Sequence, residues 1–211
     1  MGRINVGVLA SGRGTDFQSI VDAVERGDLD VNIAILVCNH RDAPVIDRAK
    51  RHGVPWVFID HRGKGRKEFE EEVVKVLQEK EVDLIVFAGF MRIVTSYFIG
   101  QFRGRIINIH PSLLPSFPGT HAQKDALDWG VRVSGCTVHI VDESVDGGPI
   151  IFQKAVPVYP EDDPDTLAAR ILKEEHKVLP YVIRLFAENR LKVVGRKVFI
   201  DEKGIEPLSP V

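Results

Sequence analysis

The sequence predicts an α/β protein built on a doubly wound, mostly parallel sheet with an antiparallel C-terminal extension. Three observations predict it. Strand-length apolar runs alternate with helical segments through the first half; those runs are apolar on both faces; and after Gly119 the order changes to two neighbouring strands and one long helix. Strands covered by helices on both sides read as continuous apolar runs, which is the mark of a parallel sheet. A length of 211 residues suits one α/β domain, with or without a small appendage.

Each element has its own local reason. Ile4–Ala10 is the first apolar run, and Val31–Cys38, Trp56–Ile59, Leu84–Ala88 and Ile106–Ile109 continue the series. Between them Phe17–Arg26, Val45–His52, Glu68–Glu79 and a shorter segment near Ser96–Phe102 repeat their apolar residues at helical spacing. This alternation is that of βαβ units. Beyond Gly119, His121–Trp129 reads as a helix, and "SGCTVHIV" and "PIIFQKAVPV" read as strands joined by "DESVDGG". Their closeness predicts antiparallel pairing through a loop longer than a tight hairpin. The long helix after "EDDPDT" has acidic residues at its start and Pro164 or Thr166 near its first turn. It runs to about Asn189, with Pro180 as a kink point. "KVVGRKVFIDEKGI" closes the chain as a hairpin, and the last few residues read as loose.

Composition excludes several functions. The 28 Lys and Arg against 30 Asp and Glu leave a net charge of -2, which argues against a general nucleic-acid partner while allowing a local cationic pocket. No uninterrupted apolar stretch approaches the roughly 20 residues of a membrane span, so no membrane partner is predicted. "MGRINVGVLASGRG" enters a strand without the charged head, apolar region and cleavage site of a signal peptide. Cys38 and Cys136 form neither a disulfide framework nor a metal knuckle and read as reduced thiols. A cytoplasmic protein is expected. The histidines show no metal-ligand spacing, and no metal is predicted.

Four stretches carry candidate chemistry. In "LASGRGTDF", Gly12 and Gly14 permit a tight turn whose amides open the first helix and face an anion, with Arg13 and Thr15 beside them. Phe17 stands where a dinucleotide fingerprint has its third glycine, and no P-loop ending follows. The alternative is a plain strand-to-helix turn with Asp16 as the helix cap. In "FRGRIINIHPSLLPSFPG", Asn108 and His110 are two apart at a strand end and point to one side, where α/β sheets hold their ligands. An amide donor and an imidazole suit an oxyanion site, whereas the plainer reading is two satisfied polar residues. Pro111, Pro115 and Pro118 stiffen the next loop, and one of them can be cis. In "DESVDGGPI", Asp146 reads on composition alone as a turn aspartate. In "AGFMRIV", Phe90, Met91 and Ile93 either line a pocket for a flat ring or pack in the core.

Together "SGRGTDFQ", "LIVFAGFMRI", "NIHPSLLPSFPG" and "GCTVHIVDESVDGGPI" resemble the phosphoribosylglycinamide formyltransferase family, in its order and at its spacing, from about Val6 to Leu191. The resemblance implies the formyltransferase fold as a single domain over 1–211. It implies a phosphate- and nucleotide-binding half to about residue 103, and a catalytic and folate-binding half from about residue 104. It implies transfer of a formyl group from the co-substrate 10-formyltetrahydrofolate to the amine of glycinamide ribonucleotide, in purine biosynthesis. Small molecules would be the only partners, and the protein a monomer or homodimer.

The family's catalytic trio falls on Asn108, His110 and Asp146. Its phosphate loop falls on Gly14, Thr15 and Asp16, with Gly12 and Arg13 in the same turn, and its substrate-amine glutamate on Glu175. The folate side falls on Phe90, Met91, Arg92, Ile93 and Val94, on Asn108, and on Asp142, Val145 and Asp146. A folate-contacting arginine falls on Arg66, with Arg62 as the substitute. Asp16 departs from the family's usual asparagine, and a carboxylate beside a dianionic phosphate is unfavourable unless it points away or binds a ribose hydroxyl. The short length and "SGRGTDF" favour the ribonucleotide enzyme over a formyltetrahydrofolate hydrolase or a formyltransferase acting on another amine. A nucleotide-binding regulatory module would leave Asn108, His110 and Asp146 without a role.

Overall fold

The computed structural model describes residues 2–204 and 208–209. The expected loose tail falls partly on 205–207 and 210–211, outside the described residues. The chain divides into two compact units, residues 1–108 and 109–211.

The first unit carries β1 (Asn5–Ala10), α1 (Thr15–Glu25), β2 (Asn32–Cys38), α2 (Pro44–Arg51), β3 (Trp56–Phe58), α3 (Arg66–Glu79), β4 (Leu84–Phe87) and α4 (Ser96–Gln101), and most of β5 (Ile106–His110). Its strands run in the order β3-β2-β1-β4-β5. Every pairing among them is parallel, with Val8 beside Leu36 on one side and Val86 on the other. Val6, Val8, Leu9, Leu36, Val37, Leu84, Ile85 and Val86 are fully buried, which is why these strands read as unbroken apolar runs. The order reverses between β1 and β4, and the loops leaving the C-terminal ends of those strands carry the candidate residues.

Two helices begin earlier than the apolar spacing indicates. The first starts at Thr15 because Gly14, left-handed at φ 69°, is its N-cap; Asp16 lies in the first turn and is not the cap that the plain-turn reading assigned. The third starts at Arg66, whose first turn is polar and exposed and so invisible to a search for apolar periodicity.

The second unit takes the end of β5 and adds α5 (Ala122–Asp128), β6 (Val133–Ile140), β7 (Ile150–Pro157), α6 (Pro164–Ala187), β8 (Leu191–Val194) and β9 (Lys197–Ile200). Strands β6 and β7 pair antiparallel, as do β8 and β9, in the order β6-β7-β9-β8. Helix α6 opens with a capping box between Asp163 and Thr166, with Pro164 in its first turn, and continues through Pro180 to Ala187. Leu167, Ile171, Val178, Val182 and Leu185 form its buried stripe, and Glu175 sits within that stripe. No helix among the described residues is long and apolar enough to cross a membrane.

Candidate active site

The glycine turn is built by close packing against α2. Gly14 faces Val45, Val45 N donates to the Gly12 carbonyl at 3.2 Å, and Arg48 Nε donates to the Arg13 carbonyl at 2.8 Å. The turn therefore has one conformation, with the first amides of α1 at its end. Beside it opens a cavity of about 610 Å³ whose lining includes Gly12, Arg13, Arg41 and Arg62. Thr15 is half-buried and Arg13 is exposed.

Asp16 is half-buried as a residue, but burial of its carboxyl pushes its pKa from the ordinary 3.8 up to about 6. Between those values the folded protein binds more protons than the unfolded chain, so this group lowers stability as pH rises through the window and exerts its full penalty above about pH 6. Asp16→Asn is expected to remove that slope and to be more stable than the parent at pH 7, by on the order of 2 kcal/mol. Urea unfolding of both proteins from pH 4 to pH 8 measures this, and parallel curves would refute it.

The loop leaving β4 holds the other first-unit candidates. Met91 and Ile93 are 66% and 59% exposed, so neither packs in the core. Phe90 lies against Phe87, with ring centroids 5.2 Å apart, and the Arg92 guanidinium sits 4.9 Å from the centre of the Phe69 ring. Val94 is half-buried. Of the two arginines, Arg62 is engaged with both oxygens of Asp60, whose carboxyl it holds well below the usual range through their hydrogen bonds. Arg66 is exposed in the first turn of α3.

Strand β5 ends in the two residues singled out above. Asn108 is half-buried and His110 is 4% exposed, and their spacing puts both side chains on one side of the strand. His110 Nε2 lies 2.8 Å from the Phe117 carbonyl oxygen, an acceptor only, so Nε2 carries the proton in that contact. The other ring nitrogen, Nδ1, lies 3.5 Å from Asp146 Oδ2. Asp146 is left-handed at φ 51° and also accepts from Gly119 N at 2.8 Å. The turn aspartate of the β6–β7 loop thus reaches the buried imidazole. In the same loop Asp142 accepts from Ser144 N at 2.9 Å, and Val145 is exposed.

The chain is similar to known proteins over most of its length. A family model described as formyl transferase matches residues 4–183. The chain belongs to the formyl transferase family. It is 40% identical over 201 residues to phosphoribosylglycinamide formyltransferase of Haemophilus influenzae, covering 95% of each chain. Glycinamide ribonucleotide transformylase 1 from Symbiobacterium toebii is a solved structure of the same fold, at a TM-score of 0.92 and 46% identity, covering 94% of each chain. A trifunctional purine biosynthetic protein of Gallus gallus is 43% identical over 192 residues, but the chain spans only 19% of its length against 90% of its own.

Around Asp146 and the loop after His110 lie polar residues that sequence reasoning missed. His139 is 2% exposed, and its Nε2 lies 3.8 Å from Asp146 Oδ1. Its Nδ1 lies 3.0 Å from the Ile140 carbonyl, an acceptor, and burial above all pushes its pKa below the ordinary histidine value. Thr137, two residues earlier on the same face, accepts from Leu114 N at 3.0 Å and donates to the Ser112 carbonyl at 2.7 Å. Gln153 Nε2 reaches both Thr137 Oγ1 and the Leu114 carbonyl. The loop after His110, with Leu114–Pro115 cis, is thus held by a buried side chain of β6 and a half-buried one of β7 as well as by its prolines. Polar residues at period two in an otherwise apolar strand were the available signal. Glu175 lies 7% exposed on α6, where an acid is rare without partners.

Proposed function

We propose that the chain transfers the formyl group of 10-formyltetrahydrofolate to the amine of glycinamide ribonucleotide, yielding formylglycinamide ribonucleotide and tetrahydrofolate. The observation that carries this reading is the buried His110–Asp146 contact, in a chain whose full-length relatives are named for that reaction. The amine nitrogen attacks the formyl carbon, and the carbonyl electron pair moves to oxygen. Asn108 and the Nδ1–H of the imidazolium form of His110 donate to that oxyanion; Nε2 is committed to the Phe117 carbonyl. Collapse breaks the bond from the formyl carbon to the folate nitrogen. Asp146 accepts the amine's proton and returns it to that nitrogen, directly or through one water.

In this reading the substrate phosphate lies at Gly12–Asp16, with Arg13 beside it, and Glu175 meets the amine side. The rigid turn and the arginine-lined cavity support the phosphate assignment. The folate is held by Asn108, by Phe90–Val94, by Asp142, Val145 and Asp146, and by Arg66 rather than Arg62, because Arg62 is engaged with Asp60. Residues to about 103 form the phosphate- and nucleotide-binding half of a single domain, and those from about 104 the catalytic and folate-binding half. The reading makes the protein cytoplasmic, a monomer or homodimer, with small-molecule partners only; the net charge of -2 supports the absence of a nucleic-acid partner.

The test is tetrahydrofolate release from 10-formyltetrahydrofolate, with and without the ribonucleotide. Release is expected only when the ribonucleotide is present. An equal rate without it would assign a hydrolase.

A further inference from the structure

The loop from Ala88 to Thr95 has no regular secondary structure and exposes two apolar side chains, yet buried polar groups pin its backbone at both ends. At the near end Ser11 N donates to the Gly89 carbonyl at 3.0 Å. Ser11 Oγ accepts from Met91 N at 2.9 Å and donates to Asn39 Oδ1 at 2.7 Å. At the far end Thr95 N donates to Glu70 Oε1 at 2.7 Å, and Thr95 Oγ1 donates to Glu70 Oε2. Between the anchors, Arg92 stacks on Phe69, the neighbour of Glu70 on α3.

Glu70 is 3% exposed, and a glutamate is almost never so buried unless it is paired. Both of its oxygens serve one residue, the last of the loop. Thr95 is also the N-cap of α4, where its hydroxyl would ordinarily accept from an amide of the first turn; no such bond is made, and the hydroxyl turns to Glu70 instead. The contact holds the loop at the expense of the helix that follows it.

We propose that Glu70 is a positioning residue for the folate: by fixing Thr95 it sets the backbone of residues 90–94 against which the folate ring binds. The inference rests on the folate reading of this loop. Calorimetric titration with a non-reactive analogue of 10-formyltetrahydrofolate, and separately with glycinamide ribonucleotide, tests it on the intact chain. Glu70→Ala is expected to weaken analogue binding about 10- to 100-fold, the loss of two charge-assisted hydrogen bonds, with ribonucleotide affinity within about threefold of the parent. Glu70→Gln should restore analogue binding, because its carbonyl accepts from Thr95 N and its amide can donate to Oγ1. Thr95→Val, which removes only the hydroxyl, should cost about 3- to 10-fold and covers a Glu70→Ala protein that does not fold. Analogue affinity within twofold of the parent in Glu70→Ala or Thr95→Val, or equal losses for both ligands, would overturn the proposal. A parent protein that binds the ribonucleotide but not the analogue would overturn the folate reading and this inference with it.

Discussion

Asp146→Asn is expected to lower turnover roughly 10²- to 10⁴-fold, the range that a positioned acid–base group supplies, while the ribonucleotide affinity stays within about threefold. The substitution is a fair one because it leaves the backbone untroubled. Asp146 is left-handed at φ 51°, a conformation asparagine also adopts readily, and the asparagine carbonyl can still accept the Gly119 amide. What disappears is the negative charge 3.5 Å from His110 Nδ1 and 3.8 Å from His139 Nε2. The proton of the attacking amine then has no acceptor there, and nothing anionic orients the imidazole. Steady-state turnover, with equilibrium binding of each substrate alongside, separates this outcome from a general loss of structure. Turnover within threefold of the parent would refute the role of Asp146.

Gly14→Ala is expected to be the most damaging small substitution in the first unit. A Cβ at that position would lie 2.3 Å from Val45 Cγ2 and 2.5 Å from Val45 Cβ, and φ is +69°. A left-handed alanine costs about 1–2 kcal/mol, and overpacking about 1–3 kcal/mol more. The expected destabilisation is therefore about 2–5 kcal/mol, or roughly 4–20 °C in Tm for a chain of this size. Any α2 movement that relieves the contact also shifts the Gly12 and Arg13 carbonyls bonded to Val45 and Arg48, so the ribonucleotide should bind more weakly as well. Gly12→Ala is the control. Its Cβ would meet nothing within 4 Å, and its Tm should stay within about 2 °C of the parent. A Gly14→Ala protein as stable as Gly12→Ala would show that the turn is not rigid.

The two substitutions probe residues of different legibility. Gly14 is readable as a turn glycine, because two glycines between an apolar strand and a helix have few other uses. That the turn packs on Val45, and that Gly14 rather than Asp16 caps α1, depends on where α2 lies. Asp146 is less legible. By composition it is one of many aspartates ahead of glycines, and only the family resemblance joined it to His110. Thr137 and Glu70 went unread because their polar atoms are satisfied by residues distant in sequence.

The sequence by itself determined the alternation of strands and helices, the parallel character of the first half, the antiparallel pair after Gly119, and the placing of Asn108 and His110 on one side of a strand end. All of these follow from local periodicity and burial on two faces, which neighbouring residues encode. Only the tertiary structure decided which groups meet and what burial does to their charge. It brought Asp146 beside His110, kept the Asp16 carboxyl protonated up to about pH 6, and buried Glu70 under Thr95. Those outcomes depend on distance and desolvation between segments far apart in the chain, and no local pattern carries either.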